Sequence, residues 1–211
     1  MSEYLAQDVT ALRSGAFQYR AAGLVDRSVT LGVAQTLDSG PVERARELGI
    51  PVYRRTSGGS GLLHLPGDLV WSLVIPRKDP IFGRRFATDY DRWGSGVVAV
   101  LEEQGIHARW TRPPDLSDEY CLLGRRGQVL SVEGRVLGGA AQHLTAHALL
   151  HHGVIGFDRA PDLISKLFRV DEQVAEGRLI GVRELRPALS SAELCERLLD
   201  HLGRGRIGRP V

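Results

Sequence analysis

The chain has 211 residues, of which 43% are hydrophobic and 25% are charged, and its formal net charge is +2. These values are typical of a soluble globular protein with one full core, and the small net charge argues against nucleic acid as a partner. No apolar run approaches membrane-spanning length, and the N-terminal residues lack a basic-then-apolar signal sequence. We therefore expect a cytoplasmic protein that binds neither nucleic acid nor a membrane.

Hydrophobic periodicity and turn residues predict the secondary structure in chain order. Helices are predicted over residues 4–14, 42–48, 93–104, 161–168 and 190–202, strands over 29–33, 69–75 and 148–155, a loop over 78–85 and a hairpin over 129–137. The predicted strand pairs are joined by short turns rather than by helical crossovers. We therefore expect an α+β fold with a mainly antiparallel or mixed sheet flanked by helices.

A glycine-rich loop over residues 56–61 lies between two apolar runs and follows Arg54 and Arg55. Glycine lets backbone N–H groups approach a ligand closely, and arginine adds planar donors that are always charged. The loop predicts a concave, donor-rich site for a carboxylate or a phosphate. An ordinary hairpin with two solvated arginines is the alternative interpretation.

Four segments in chain order carry a resemblance to a known family. These are Val29 to Gln35, the line Glu47 to Ser72 with Arg-Arg-Thr-Ser-Gly-Gly and a following histidine, Val132 to Gln142, and Leu149 to Gly153. Together they resemble the lipoate–protein ligase and octanoyltransferase family, a relative of biotin–protein ligase, over roughly residues 1–202. The resemblance implies the catalytic-domain fold of biotin and lipoate ligases.

The resemblance also implies an activity, which is attachment of a lipoyl or octanoyl group to a lysine of a lipoyl carrier domain. A ligase of this family uses ATP and Mg²⁺, whereas a transferase takes the acyl group from acyl carrier protein and needs no cofactor. The implied partners are lipoyl domains of 2-oxoacid dehydrogenase subunits or the glycine cleavage carrier protein, with acyl carrier protein or a separate accessory subunit as further partners. No resident metal is implied.

The resemblance assigns substrate binding to the glycine loop and to three later segments. The residues are Arg54, Arg55, Ser57, Gly58, Gly59, His64, Gly138, Gly139, Ala140, His152 and Gly153. Backbone N–H groups at Gly58-Gly59 and Gly138-Gly139 are expected to stabilise an oxyanion during acyl transfer. Leu69, Trp71 and Leu73 are expected to line a slot for the acyl chain.

The chain departs from the family pattern Gly-Arg-Lys-x-x-Gly-x-Ala-Gln, because its segment reads Glu133-Gly134-Arg135-Val136. Either Arg135 stands in the lysine position, or the lysine is deleted and Arg135 matches the preceding arginine. Arginine in place of lysine keeps the charge but does not titrate near neutral pH. We expect Arg135 to supply positive charge to the site, with a non-catalytic acyl-binding protein or partner subunit as the alternative function.

Cys121 is the second candidate catalytic residue. It precedes Arg135 by 14 residues, close to the place where cysteine-dependent octanoyltransferases have their nucleophile. A thiolate can accept an acyl group from a thioester and so divide one difficult step into two. A buried structural cysteine is the alternative, and Cys195 is expected to be a packing residue.

Two further predictions concern the histidines and the domain boundaries. His143, His147 and His151 are spaced by four residues, which would form a metal-binding face on a helix, but the sequence around them favours a strand. We expect a catalytic domain over residues 1–185, a short helical appendage over 186–204 and a frayed tail over 205–211.

Overall fold

The computed structural model describes residues 1–79 and 90–204, which form eight helices and nine strands. The helices are α1 (Ser2–Ser14), α2 (Gly40–Glu47), α3 (Tyr90–Trp93), α4 (Ser95–Glu103), α5 (Pro161–Phe168), α6 (Glu172–Arg178), α7 (Val182–Leu185) and α8 (Ser191–Gly203). The strands are β1 (Gln18–Gly23), β2 (Ser28–Leu31), β3 (Val52–Arg54), β4 (Leu62–His64), β5 (Leu69–Pro76), β6 (Arg109–Thr111), β7 (Gln128–Val132), β8 (Arg135–Leu144) and β9 (Ala148–Ile155). A 3₁₀ turn at Cys121–Leu123 precedes β7.

Two β-sheets form the framework of the fold. The larger sheet has six strands in the order β1-β5-β9-β8-β7-β6, and every neighbouring pair is antiparallel. The smaller sheet has the order β3-β2-β4, with β2 parallel to β3 and antiparallel to β4. The predicted α+β class with a mainly antiparallel or mixed sheet is therefore confirmed.

Most of the predicted elements are present with small shifts at their ends. The helix predicted at 4–14 is α1, which ends as expected because Gly15 adopts a left-handed φ of 58° and its N–H binds the Ala11 carbonyl. The predicted hairpin is β7–β8, and its turn residues Glu133 and Gly134 have φ values of 50° and 80°. Two consecutive positive φ values are the geometry that a two-residue hairpin turn requires.

Six short elements were not predicted, namely β1, β3, β4, β6, α6 and α7, and one predicted helix is divided. The edge strand β1 is at most half-buried and has only Tyr19 as a strong β-former. The helix predicted over 93–104 is interrupted at Gly94, where a Cβ atom would lie only 2.3 Å from the Trp110 indole nitrogen. Local periodicity does not reveal such a contact between distant residues.

The two faces of the larger sheet have different coverings. Leu69, Trp71 and Leu73 of β5 belong to a core that α4 and α8 close on one face. Val70 and Val74 point to the opposite face, which is covered by α1 and by the smaller sheet with α2 and α5. Because side chains alternate along a strand, β5 is buried on both faces, as its continuous apolar sequence indicated.

The C-terminal helix α8 packs as part of the main core. Its residues Leu194, Leu198 and Leu202 share one cluster with Trp71, and Ser190 caps the helix by accepting the Glu193 N–H. The boundary between residues 185 and 186 remains a prediction. The predicted tail 205–211 and most of the predicted loop 78–85 lie outside the described residues. No helix within residues 1–79 and 90–204 is long and apolar enough to cross a bilayer.

Candidate active site

A cavity of about 620 Å³, a volume that includes its mouth toward solvent, lies between the two sheets, beneath the start of α1. Its walls come from β2 and β4 of the smaller sheet, from β5, β7, β8 and β9 of the larger sheet, and from the 3₁₀ turn. Seven of the predicted site residues line it, namely Arg55, His64, Cys121, Gly139, Ala140, His152 and Gly153. The structure therefore brings residues from four distant segments to one apolar cavity, which is the usual form of a small-molecule site.

Arg55 is the organising side chain of the glycine loop. Its guanidinium donates to the Gly58 carbonyl at 2.8 and 3.2 Å and to the Ser60 carbonyl at 2.8 Å. It also donates to the carbonyl and the hydroxyl of Thr30 at 3.2 and 3.3 Å. These five contacts bend the loop around the cation and fix its position.

The same guanidinium is buried, with only 6% of Arg55 exposed, and it has no carboxylate partner among the described residues, because the four oxygen atoms that accept from it are neutral. Burial lowers the pKa of Arg55, and the sulfur of Cys121 acts in the opposite direction. A buried charge without a counterion is costly. The site is therefore suited to receive negative charge from a ligand or from a thiolate.

Cys121 lies directly beside this cation. Its Sγ is 3.8 Å from an Arg55 nitrogen. The turn that carries it is tied to the glycine loop, because Gly61 donates to the Glu119 carbonyl at 2.9 Å and Cys121 donates to the Gly61 carbonyl at 2.8 Å. These two backbone hydrogen bonds thus hold the Cys121 thiol at the wall of the cavity.

Gly59 is the point of closest approach between the loop and the thiol. It has a φ of 94°, and a Cβ atom there would lie 2.9 Å from Cys121 Sγ and 2.8 Å from Arg55. Gly58 faces open space. Only glycine both adopts this positive φ readily and leaves room for the Cys121 sulfur, so contact with the thiol explains the glycine at position 59.

His152 connects the glycine loop to α1. Its Nε2 is 2.6 Å from Ser57 Oγ, and its Nδ1 is 3.1 Å from an Asp8 carboxylate oxygen. Asp8 also forms an ion pair with Arg20. Asp8 and Arg20 were missed by sequence reasoning. The available signal was that Asp8 shares its helical face with Ala11 and Leu12, so a carboxylate occupies a core position of α1.

His64 lies on the opposite wall, on β4. Its Nε2 is 2.9 Å from Thr30 Oγ1, and its buried Nδ1 has no hydrogen-bond partner within residues 1–79 and 90–204. Burial, together with the nearby charge of Arg55, lowers the pKa of His64 to about 3. The imidazole is therefore neutral near neutral pH, with one ring nitrogen available to a ligand.

Arg135 does not supply charge to this cavity. Its guanidinium donates to the Leu179 carbonyl at 3.1 and 2.5 Å and pairs with Glu184 at 3.3 Å, away from the residues that line the site. Gly134 to Gln142 matches the nine-residue family pattern without a gap, which places Val136 at the lysine position. Val136 is buried in an apolar cluster, so neither residue replaces the lysine in the site.

Gly138 and Gly139 were expected to offer their N–H groups to an oxyanion, but the structure places both within a strand. Both lie in β8 and pair on one side with β7 and on the other with β9, so their backbone groups belong to the sheet. A Cβ atom at Gly138 would lie 2.1 Å from the Val154 carbonyl. These glycines permit close packing of strands, and the oxyanion role proposed for their N–H groups has no geometric support.

The remaining predicted residues have mixed positions. Ser57, Gly58 and Gly59 belong to the loop behind the cavity wall, and Arg54 is exposed at the end of β3 and does not line the cavity. Of the predicted acyl-slot residues, Trp71 lines the cavity, but Leu69 and Leu73 face the opposite core, and Val70 takes their place.

The histidines spaced by four residues do not share a helical face. His143 is on β8, His147 is in the following turn and His151 is on β9. Within the described part of the chain no group of three His, Cys, Asp or Glu side chains is arranged to hold a metal ion. His151 instead packs against Trp71, Tyr90 and Trp110 on the face opposite the cavity.

The comparisons with known proteins agree with this fold. The model of the lipoyl protein ligase A/B catalytic domain matches residues 2–203, so the chain belongs to that family. The lipoate-protein ligase LplJ of Bacillus subtilis is 26% identical over 165 residues, which are 78% of this chain and 44% of that protein. The octanoyltransferase LipM of Exiguobacterium is 28% identical over 132 residues, which are 58% of this chain and 48% of that protein. The chain thus spans less than half the length of these relatives.

Solved structures show the same fold. A lipoate-protein ligase A crystallised with ATP aligns with a TM-score of 0.75 at 24% identity, over 95% of this chain and 78% of its own. A bi-partite lipoate protein ligase from Thermoplasma acidophilum, studied with its E2 lipoyl domain, aligns with a TM-score of 0.71 at 23% identity, over 95% of this chain and 77% of its own. The catalytic-domain fold expected from the sequence is therefore confirmed.

Proposed function

We propose that the protein transfers an octanoyl or lipoyl group from a thioester donor to the lysine of a lipoyl domain, through a thioester on Cys121. The single observation that carries this proposal is the position of the Cys121 thiol, which opens into an apolar cavity beside the buried Arg55 cation. Family membership supports the class of reaction, because relatives include both octanoyltransferases and lipoate ligases.

The reaction has two steps at one carbon. Cys121 sulfur bonds to the carbonyl carbon of the donor thioester, the donor sulfur leaves with its bonding electrons, and it takes up the proton that the Cys121 thiol gives up. The neutral amine of the acceptor lysine then bonds to the same carbon, and Cys121 leaves and regains a proton from the amine. Arg55 stabilises the negative charge in both steps because it is fixed and shielded from water.

An ATP-dependent ligase is the second candidate, and it would require ATP and Mg²⁺. One family structure is known with ATP, which supports nucleotide use by the ligase type. Adenylation develops charge on phosphates, which lysine and arginine normally neutralise. The chain has only two lysines, Lys78 and Lys166, and neither lines the cavity. This shortage favours the thioester route, which needs no nucleotide.

The acceptor and the accessory partners are proposed on the same basis. The archaeal protein with the same fold was studied as a bi-partite ligase with an E2 lipoyl domain. A lipoyl domain of a 2-oxoacid dehydrogenase or of the glycine cleavage system is therefore the proposed acceptor, acyl carrier protein the proposed donor, and a separate accessory subunit a further partner. A cytoplasmic location, where these carriers would be encountered, belongs to the same proposal.

Incubation with an apo lipoyl domain and either octanoyl-acyl carrier protein or ATP plus lipoate tests the proposal. The expected result is a mass increase of the lipoyl domain with the thioester donor alone, and an octanoyl adduct on this chain when the acceptor is omitted. Cys121→Ala should abolish both products, whereas Cys195→Ala, the matched control on α8, should not. Product formation only with ATP would overturn the cysteine route in favour of a ligase.

A further inference from the structure

We propose that Nδ1–H of His64 is the hydrogen-bond donor to the carbonyl oxygen of the acyl group during transfer, a role that rests on the proposed function. The first observation is that Arg55 has no free donor. A guanidinium has five N–H groups, and they are all engaged by oxygen atoms of Gly58, Ser60 and Thr30 and by the Cys121 sulfur, which shares one guanidinium nitrogen with Gly58 and Ser60. Arg55 can therefore supply charge to a developing oxyanion, but not a hydrogen bond.

The second observation fixes the proton on His64. Arg55 can only donate, so Thr30 Oγ1 accepts from it at 3.3 Å. The single proton of this hydroxyl is then free to be donated to His64 Nε2, 2.9 Å away. In the reverse arrangement the Thr30 hydroxyl proton would have no acceptor among the described residues. Nε2 is thus the acceptor.

The third observation places the donor in the cavity. The imidazole is neutral, so with Nε2 unprotonated the ring proton lies on Nδ1. His64 is 4% exposed, it lines the cavity, and its Nδ1 has no partner in the part of the chain that the structure describes. Trp71 Nε1 is also unpartnered on a lining residue, but its ring packs against His151 on the opposite face. A buried donor without a partner is costly and marks a place for a ligand acceptor.

His64 donates a hydrogen bond but no proton during the attack of Cys121 on the acyl carbonyl carbon. As Cys121 Sγ bonds to the carbonyl carbon, the π electrons move onto oxygen, and that oxygen accepts the hydrogen bond from Nδ1–H. When the oxyanion collapses, the donor sulfur leaves and the hydrogen bond weakens again. A donor aimed at this position contributes about 10²- to 10³-fold to the rate in other acyl-transfer sites.

Two His64 variants test the role of the Nδ1–H donor, because one keeps a hydrogen-bond donor at that position and the other removes it. The asparagine amide nitrogen occupies nearly the place of Nδ1, whereas leucine offers no donor. We expect His64→Leu to slow single-turnover acylation of Cys121 by about 10²- to 10³-fold, with a smaller change in the apparent affinity for the donor, and His64→Asn to recover most of the loss. Equal losses in the two variants, with both folded by thermal melting, would overturn the proposal. His107→Leu is the matched control, since this histidine is exposed and does not line the cavity.

Nitrogen NMR of the wild-type protein gives a reading that does not depend on turnover. We expect the Nδ1–H tautomer of His64 in the free protein, mixed tautomers in Thr30→Val, and a shift of the Nδ1 signal when octanoate binds. Observation of the Nε2–H tautomer, or an unchanged Nδ1 signal with octanoate bound, would overturn the proposal. Failure of octanoate to bind at all would reject the acyl cavity, and with it both the proposed function and this role.

Discussion

Asp8 on α1 and His152 on β9 are 144 positions apart in the chain, and the carboxylate accepts a hydrogen bond from His152 Nδ1 at 3.1 Å. This bond leaves Nε2 to accept from the Ser57 hydroxyl at 2.6 Å. A helix at the N-terminal end thus orients the loop that surrounds Arg55. Two hydrogen bonds therefore connect α1 to the glycine loop, one from His152 to Asp8 and one between His152 and Ser57.

Asp8→Asn should impair both stability and transfer. The change leaves Arg20, which is mostly buried, without its ion-pair partner, at a cost of about 3–5 kcal/mol in the free energy of unfolding. It also releases His152, so acyl transfer should fall even well below the melting temperature. Asp68→Asn is the control, because Asp68 is similarly buried but binds only the N–H groups of Leu65 and Phe157. Equal transfer rates in the two variants would show that Asp8 has no role in the site.

Arg55→Met should reduce transfer by about 10²-fold or more. The variant removes the charge beside Cys121 and leaves the carbonyls of Gly58, Ser60 and Thr30 without their donor. Arg54→Met is a matched control, since this neighbouring arginine is exposed and does not line the cavity. Steady-state rates with an octanoyl thioester measure the difference, and a comparable loss from Arg54→Met would contradict the assignment of the site.

Gly59→Ala and Gly58→Ala should differ strongly although the residues are adjacent. An alanine at 59 must tolerate a positive φ and a Cβ atom 2.9 Å from the Cys121 sulfur, whereas a Cβ atom at 58 meets nothing within 4 Å. We expect about 1–3 kcal/mol of destabilisation at 59, with loss of Cys121 acylation, and little change at 58. Chemical denaturation and intact-protein mass spectrometry provide the two measurements. Similar behaviour of the two variants would show that the loop is not packed on the thiol.

Stability should fall as the pH is lowered through 6.5. Burial lowers the pKa of His64 and that of His151 to about 3. The unfolded chain therefore binds more protons than the folded chain between about pH 3 and 6.5, and each histidine removes roughly 1 kcal/mol per pH unit on acidification. His151→Phe should make this dependence shallower in urea denaturation from pH 7 to 4. An unchanged slope would show that His151 is protonated in the folded protein.

Asp68 should act in the opposite direction. Burial raises the pKa of its carboxyl to about 7, so between about pH 4 and 7 the folded chain holds a proton that the unfolded chain releases. Its contribution to stability is present below the unfolded pKa and is lost as the pH rises through 7. Asp68→Asn should therefore steepen the loss of stability on acidification. A shallower profile in the same denaturation series would contradict the direction of this shift.

The sequence was sufficient for features whose causes are local. The Arg-Arg-Thr-Ser-Gly-Gly segment, the end of α1 at Gly15 and the Glu133-Gly134 turn each depend on neighbouring residues. The family pattern added the order of the four segments that meet at the cavity. Together these signals predicted Arg55, His64, Cys121 and His152 as site residues, and all four line the cavity.

Features that depend on register or on distant pairs could not be predicted. The pairing of β7 with β8 shifts between Leu130 and Ser131, which leaves Leu137 without a partner on β7. Such a shift changes which residues share a face, and sequence alternation alone cannot show it. Asp8 was missed for a related reason, because its partner His152 is defined only when α1 packs across β9.

The full engagement of the Arg55 guanidinium has a consequence for the energetics of turnover. A guanidinium that forms these hydrogen bonds cannot move toward the substrate as negative charge develops, and it cannot move away afterwards. Little reorganisation energy is then needed between the planar carbonyl and the tetrahedral intermediate. The glycine loop and Arg55 thus form a preorganised electrostatic environment. Its dipoles and its charge are oriented when the protein folds and keep the same orientation through each catalytic cycle.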